Sequence, residues 1–119
     1  ADEITKARKT VLAAQRDDGG WAQLDTMESD AYATGQTLWI LQATCSDPTD
    51  EAYQRGTKHL LSTQGNDGSW HVRSRSKPVQ PYFDNGDPHG EDQFISTPAT
   101  CWAVAALAAA VKEDAVGKP

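Results

Sequence analysis

The residues best suited to chemistry lie in one polar segment, between positions 71 and 93. Its charged and ionisable members are His71, Arg73, Arg75, Lys77, Asp84, Asp87, His89, Glu91 and Asp92. Histidine exchanges a proton near neutral pH and is the commonest metal ligand. Neighbouring arginines suit carboxylate or phosphate groups. Any binding or proton-transfer chemistry is therefore expected in this segment.

Three interpretations of this segment stay open. The two histidines with nearby acids would make a metal site, but no pair of ligands has the close spacing typical of zinc. We therefore expect no metal and no cofactor. In an extended chain Arg73 and Arg75 project to the same side, as an anion clamp requires. In the third interpretation the loop is solvated and its arginines pair with acids of the same loop: Asp84, Glu91 and Asp92.

Composition excludes several classes of function. The 119 residues carry a net charge of −6, and nucleic-acid binding requires a basic face. No uninterrupted apolar run reaches the ~18 residues of a membrane span, so we expect no transmembrane segment. Cys45 and Cys101 lie far apart in the sequence, and we expect two buried thiols, with a disulfide as the alternative.

A short motif occurs twice at an offset of 49 residues: QRDDGGW at 15–21 and QGNDGSW at 64–70. The match extends into the preceding segment, where Lys6 aligns with Arg55. Self-similarity at this period indicates repeated supersecondary units. We expect the shared residues to be structural: Gln15, Gly19, Trp21, Gln64, Gly68 and Trp70.

Helical periodicity predicts four helices that alternate in character. Amphipathic helices are predicted over 3–15 and 47–63, the second starting at Ser46-Asp47-Pro48. Segments 31–44 and 98–112 are almost free of charge, which predicts burial on several sides. We call the amphipathic helices outer and the uncharged helices inner, so the order along the chain is outer, inner, outer, inner.

This order predicts a single all-α domain over 1–119. Repeat one covers 1–44, and repeat two covers 47–113 with a long inserted loop at 71–95. The inner helices align with Thr37-Leu38-Trp39 over Thr100-Cys101-Trp102, at an offset of 63 residues.

The repeated motif resembles the QW repeat of squalene-hopene cyclases, oxidosqualene cyclases and related prenyltransferases. Residues 55–70 carry the likeness, and 95–103 resemble the last inner helix of those cyclases. The resemblance implies an α/α-toroid fragment of two helical hairpins, similar to the C-terminal portion of that fold. In it, the QW side chains tie the outer helices together.

The catalytic motifs of those enzymes have no counterpart in this sequence. Hopene cyclases protonate squalene with an Asp-x-Asp-Asp motif, and prenyltransferases hold zinc with Asp, Cys and His; neither pattern occurs, so we assign no catalytic residue. We favour a non-catalytic binding or assembly module for an isoprenoid-like ligand or an apolar partner. The alternative is the C-terminal cavity wall of a true terpenoid cyclase, an isomerase whose acid motif lies on another segment.

The expected ligand site combines inner-helix aromatic residues with residues of the loop: Tyr32, Trp39, Trp102, Arg73, Arg75, Tyr82, Phe83 and His89. Two outer helices can cover only part of two uncharged inner helices, so an apolar strip should remain as an interface. We expect it to bind a further copy of the chain, a dimer ahead of a trimer, or a missing toroid segment.

Overall fold

The structure is a computed structural model that describes the backbone of residues 2–44, 50–76 and 82–117, and side chains up to residue 111. The described chain forms four α-helices: α1 at Asp2–Ala13, α2 at Ala31–Ala43, α3 at Glu51–Thr63 and α4 at Gln93–Gly117. A 3-10 turn at Gly90–Asp92 leads into α4, and the described ranges contain no strand. The predicted all-α fold is confirmed.

The predicted helix boundaries agree with the structure to within two residues except at the start of α3 and at both ends of α4. Asp30 caps α2 as predicted, because its Oδ1 accepts a hydrogen bond of 2.8 Å from the Ala33 N–H. The predicted start of α4 at residue 98 is wrong, since the helix begins at Gln93 and contains Pro98. Ser96 does not cap a helix; its hydroxyl bonds to the backbone N–H and carbonyl of Val72. Helix α3 begins at Glu51 with Asp50 at its N-cap, so the start predicted at 46–48 is too early; residues 45–49 themselves lie outside the described ranges.

The two inner helices pack directly against each other. Their closest approach is at Gly35 of α2, where an added Cβ would lie 2.8 Å from the backbone of Trp102 and Ala103. The core consists mainly of small and aliphatic side chains beneath two tryptophans: Trp21, Leu38, Leu41, Tyr53, Leu60, Trp70, Val72, Ala99, Ala103 and Ala106. Helix α1 buries no residue, so it contributes least to this core.

The predicted burial on several sides holds for the first two turns of α2, where positions 31–38 are buried or half-buried, and is wrong for α4. In α2, Leu38 is buried while the adjacent Trp39 is 39% exposed. In α4, the exposed positions are 94, 97, 101, 104, 108 and 111, opposite the buried alanines. Cys101 is among them and is an exposed free thiol, so its expected burial is also wrong; Cys45 lies outside the described residues. Helix α4 therefore has one packed face and one exposed face, whereas α2 is exposed only near its C-terminal end, at positions 39, 40 and 43.

Helix α4 differs from the expectation that no segment is long and apolar enough to span a membrane. The stretch Gly90–Val111 is long and apolar enough for a span, judged by length and composition alone. Proline and polar side chains interrupt the apolar run in the sequence, but the helix is continuous through them.

The inner helices correspond at a different offset from the one predicted. The Trp21 backbone N–H donates to Thr34 Oγ1 at 2.9 Å, and the Trp70 N–H donates to Thr100 Oγ1 at 3.0 Å. Thr34 and Thr100 are therefore equivalent, 66 positions apart. The predicted pairing of Thr37 with Thr100 is displaced by about one helical turn, which helical periodicity alone cannot detect.

Candidate functional site

The first QW turn connects three elements through two side chains. The Gln15 amide donates to the Gly19 carbonyl at 2.9 Å and to the Ala52 carbonyl of α3 at 2.8 Å. The Trp21 indole N–H donates to the Val11 carbonyl of α1 at 2.8 Å. Gly19 has a φ of +89°, a conformation that favours glycine. The turn is thus bonded both to the helix it follows and to the next outer helix.

The second QW turn repeats the internal bonds of the first. The Gln64 amide donates to the Gly68 carbonyl at 2.9 Å, and the Trp70 indole N–H donates to the Leu60 carbonyl at 2.9 Å. Gly68 has a φ of +87°. Among the described residues, however, the Gln64 amide has no bond to another helix, and residues 64–68 are exposed.

The long loop brings its two histidines into contact. The rings of His71 and His89 stack with their centroids 4.5 Å apart and an interplanar angle of 14°. His71 Nε2 lies 2.7 Å from Asp92 Oδ2, and His89 Nε2 lies 2.7 Å from Ser69 Oγ. His89 has a φ of +80°, which is uncommon outside glycine. The loop is therefore held against both the second QW turn and the start of α4.

The carboxylates beside these rings are stabilised in their ionised form. The backbone N–H of Ser74, followed by His71, lowers the pKa of Asp92 below its usual 3.8. The Ser69 hydroxyl and backbone N–H likewise lower the pKa of Asp67. Because the single Ser69 proton is donated to Asp67, this hydroxyl can only accept from His89. The arrangement therefore does not activate Ser69 as a nucleophile.

The stacked histidines do not form a metal site. Each Nε2 already faces a carboxylate or hydroxyl, and parallel rings do not point their nitrogens at a common centre. In the ranges that the structure describes, no group of three or more His, Cys, Asp or Glu side chains could hold a metal ion.

The two arginines of the loop do not form one clamp. Arg73 lines a cavity of about 300 Å³ with residues 26–30 and His71, while Arg75 lines a separate depression with Tyr32 and Gln36. The Arg75 Nε–H donates to Gln23 Oε1 at 3.0 Å.

Neither arginine lies within ion-pair distance of an acid in the described chain, whose ion pairs are His59 with Asp18 and His71 with Asp92. The predicted arginine–acid pairs of the loop are therefore not observed there.

The remaining expected ligand residues are spread over the molecule. Trp39 and the half-buried Trp102 lie on the inner helices, whereas Phe83 is 72% exposed in the loop. Of all the expected ligand residues, the two depressions include only Arg73 in one and Tyr32 with Arg75 in the other. The structure does not gather the expected set into one pocket.

Gln93 organises the second half of the loop, and the sequence analysis missed it. It is fully buried at the first position of α4. Its side-chain Oε1 accepts from the Asn85 backbone N–H at 2.9 Å. Its side-chain Nε2 donates to Asp84 Oδ1 at 3.0 Å and to the Tyr82 hydroxyl at 3.3 Å. The signal in the sequence is a glutamine at the first position of a segment, 93–111, that contains no charged residue.

Comparison with known proteins identifies no relative. No family model matches the chain, and neither the curated proteins nor the solved structures give a match.

The two QW glutamines should differ in their effect on stability. Gln15→Ala removes a part-buried bond between helices and should lower the free energy of unfolding by about 1–3 kcal/mol, whereas Gln64→Ala removes an exposed bond and should cost under about 1 kcal/mol. Urea titrations of both variants measure the difference. Trp70→Ala, which leaves a large void, should cost about 3–5 kcal/mol and serves as the upper reference. Equal effects of the two glutamine variants would contradict this asymmetry.

Asp92→Asn should make the stability less sensitive to acid. The folded-state pKa of Asp92 lies below 3.8, so its ionised form stabilises the fold above the unfolded pKa, and this stabilisation is lost as the pH falls through the lower folded pKa. Urea midpoints from about pH 6 to about pH 3 should therefore fall less steeply for the variant than for the wild type. Asp25→Asn, at an exposed acid, should keep the wild-type slope. Identical slopes for all three proteins would exclude this role of Asp92.

Proposed function

We propose that this chain is a QW-repeat unit with squalene-hopene-cyclase-like architecture, an α/α-toroid fragment that binds an isoprenoid-like ligand or an apolar partner surface. The binding surface is the bare face of the inner helices. The observation that carries this proposal is the exposed side of α4, where a helix without charge from Gln93 to Val111 leaves every third or fourth residue uncovered.

The exposed positions of α4 follow the spacing of a helix-packing seam. The exposed positions 94, 97, 101, 104, 108 and 111 lie at alternating intervals of three and four residues, and Phe94, Cys101, Val104 and Val111 are the larger apolar side chains among them. Residues at this spacing share one face of a helix. On α2, Trp39 and Ile40 are also exposed. A soluble helix normally directs polar side chains outwards, so this face favours an apolar occupant.

The energetics also favour an occupant. Each ~100 Å² of apolar surface that a partner covers contributes roughly 2.5 kcal/mol before the costs of association. Contiguous apolar patches larger than a few hundred Å² are rare on monomers and mark binding surfaces. The depressions lined by Arg73 and Arg75 are by contrast open and partly polar, and none of the described side chains that line them has a buried polar atom without a hydrogen-bond partner. The inner-helix face is therefore the stronger candidate.

Titration with geranylgeraniol, a linear isoprenoid alcohol, tests this proposal. Because Trp39 and Trp102 lie on the inner helices, binding should change the tryptophan fluorescence and should saturate. Val104→Glu places a charge on the bare face and should weaken binding at least about tenfold, since a buried unpaired charge is costly. Leu61→Glu is the matched control, because Leu61 is 59% exposed on α3, and should bind like the wild type.

Two results would contradict the proposal. One is equal binding by the wild type and Val104→Glu, which would place the ligand elsewhere. The other is an absence of saturable binding combined with an unchanged association state of Val104→Glu. Circular dichroism of each variant establishes that the helices are retained.

A further inference from the structure

The two QW turns have the same internal geometry but different surroundings. The first turn is docked on α3: Arg55 Nη2 donates to the carbonyls of Arg16 and Asp17 at 3.0 Å, and the His59 ring lies 3.2 Å from the Asp18 carbonyl. Added to the bond from Gln15 to Ala52, these contacts cover the turn. In the second turn the equivalent positions 64, 65 and 68 are exposed, whereas Gln15 and Arg16 are half-buried and Gly19 is buried.

Helix α1 carries an uncovered version of the α3 docking face. At the repeat offset of 49 residues, the four α3 positions in that contact correspond to four positions of α1: Ala52 to Glu3, Arg55 to Lys6, Gly56 to Ala7 and His59 to Thr10. All four α1 residues are exposed, whereas their α3 counterparts are buried or half-buried. Each chain thus has one bare turn and one bare helix face of the complementary type.

We propose that the second QW turn binds α1 of a second copy of this chain, head to tail. The ammonium group of Lys6 in one copy replaces the Arg55 guanidinium and donates to the carbonyls of Gly65 and Asn66 in the other. The second N–H of the Gln64 amide donates to the Glu3 carbonyl, as Gln15 does to Ala52. Both contacts copy bonds that already exist inside the chain.

The side chains at this contact also fit in size. In the first turn, a Cβ added to Gly20 would lie 2.9 Å from the His59 ring. The second turn has Ser69 at that position, and a histidine opposite it would collide. Helix α1 supplies the smaller Thr10 instead. The larger turn residue is therefore matched by the smaller helix residue, which favours α1 over another copy of α3.

The contact is heterologous, because one copy contributes the turn and the other contributes the helix. Repetition of such a contact closes into a ring or continues as an open chain. This inference goes beyond the proposed function, since it names the partner and uses the outer helices rather than the inner-helix face.

Light scattering of the wild type and two charge variants tests the inference. The wild-type mass should rise above the 12.9 kDa of one chain with increasing concentration. Lys6→Glu removes the donor, and Asn66→Lys places a second cation opposite Lys6; each should remain at the mass of one chain. Lys9→Glu changes the same charge elsewhere on α1 and should associate like the wild type. All three positions are exposed, so the helices should be retained.

Combining the variants makes the test specific for a head-to-tail contact. The double variant Lys6→Glu/Asn66→Lys places an acid on α1 opposite the new cation of the turn and should regain association, whereas Lys9→Glu/Asn66→Lys should not. An equimolar mixture of the two single variants should associate beyond two copies, with the variants alternating, because each turn then has a compatible α1 on the other variant. A wild type of constant single-chain mass, association of Lys6→Glu at wild-type strength, or failure of the double variant to recover would each overturn the inference. Geranylgeraniol binding separates this inference from the proposed function, because Lys6 lies on α1 and not on the inner helices. If only this inference fails, Lys6→Glu still binds geranylgeraniol like the wild type.

Discussion

The fold depends on one hydrogen bond that is made twice: the indole N–H of a tryptophan returns to a carbonyl of the outer helix ten residues before it. Trp21 bonds to Val11 and Trp70 bonds to Leu60. Both rings are buried, so each bond is formed away from water, where an unpaired N–H would be costly. A glycine with positive φ makes the required reversal. The inner helix that follows is then fixed by a threonine hydroxyl, which accepts from the backbone N–H of the same tryptophan.

This constraint leaves the apolar surface unevenly covered. The tryptophans and α3 cover one side of the inner helices, and Gly35 allows α2 and α4 to meet at backbone distance. The opposite side of α4 is exposed at positions 94, 97, 101, 104, 108 and 111. The molecule therefore has two open surfaces of different chemistry, an apolar face on α4 and a hydrogen-bonding turn at residues 64–69. The proposed ligand or partner binds the first, and a second copy is inferred at the second.

The sequence predicted the elements that depend on local patterns. Four helices, the Asp30 cap and the two turns follow from periodicity, capping chemistry and a motif that occurs twice at a fixed offset. It could not give the start of α4, because Ser96 and Pro98 resemble a helix start and only tertiary contacts show that Ser96 binds Val72. The burial of α4 was overestimated, because a lack of charged residues indicates an apolar helix but does not indicate how many neighbouring elements cover it. The role of Gln93 and the stacking of His71 on His89 depend on the path of the inserted loop. The sequence of that loop has no helical or strand periodicity from which its path could be predicted.

The central claim is that the two turns are equivalent internally but only the first is docked on a neighbouring helix. Hydrogen exchange followed by NMR tests this claim at low protein concentration, where copies are separate. Both tryptophan indole N–H groups should be strongly protected, while the side-chain amide of Gln15 should exchange much more slowly than that of Gln64. Equal exchange of the two glutamine amides, or rapid exchange of either indole, would contradict the account.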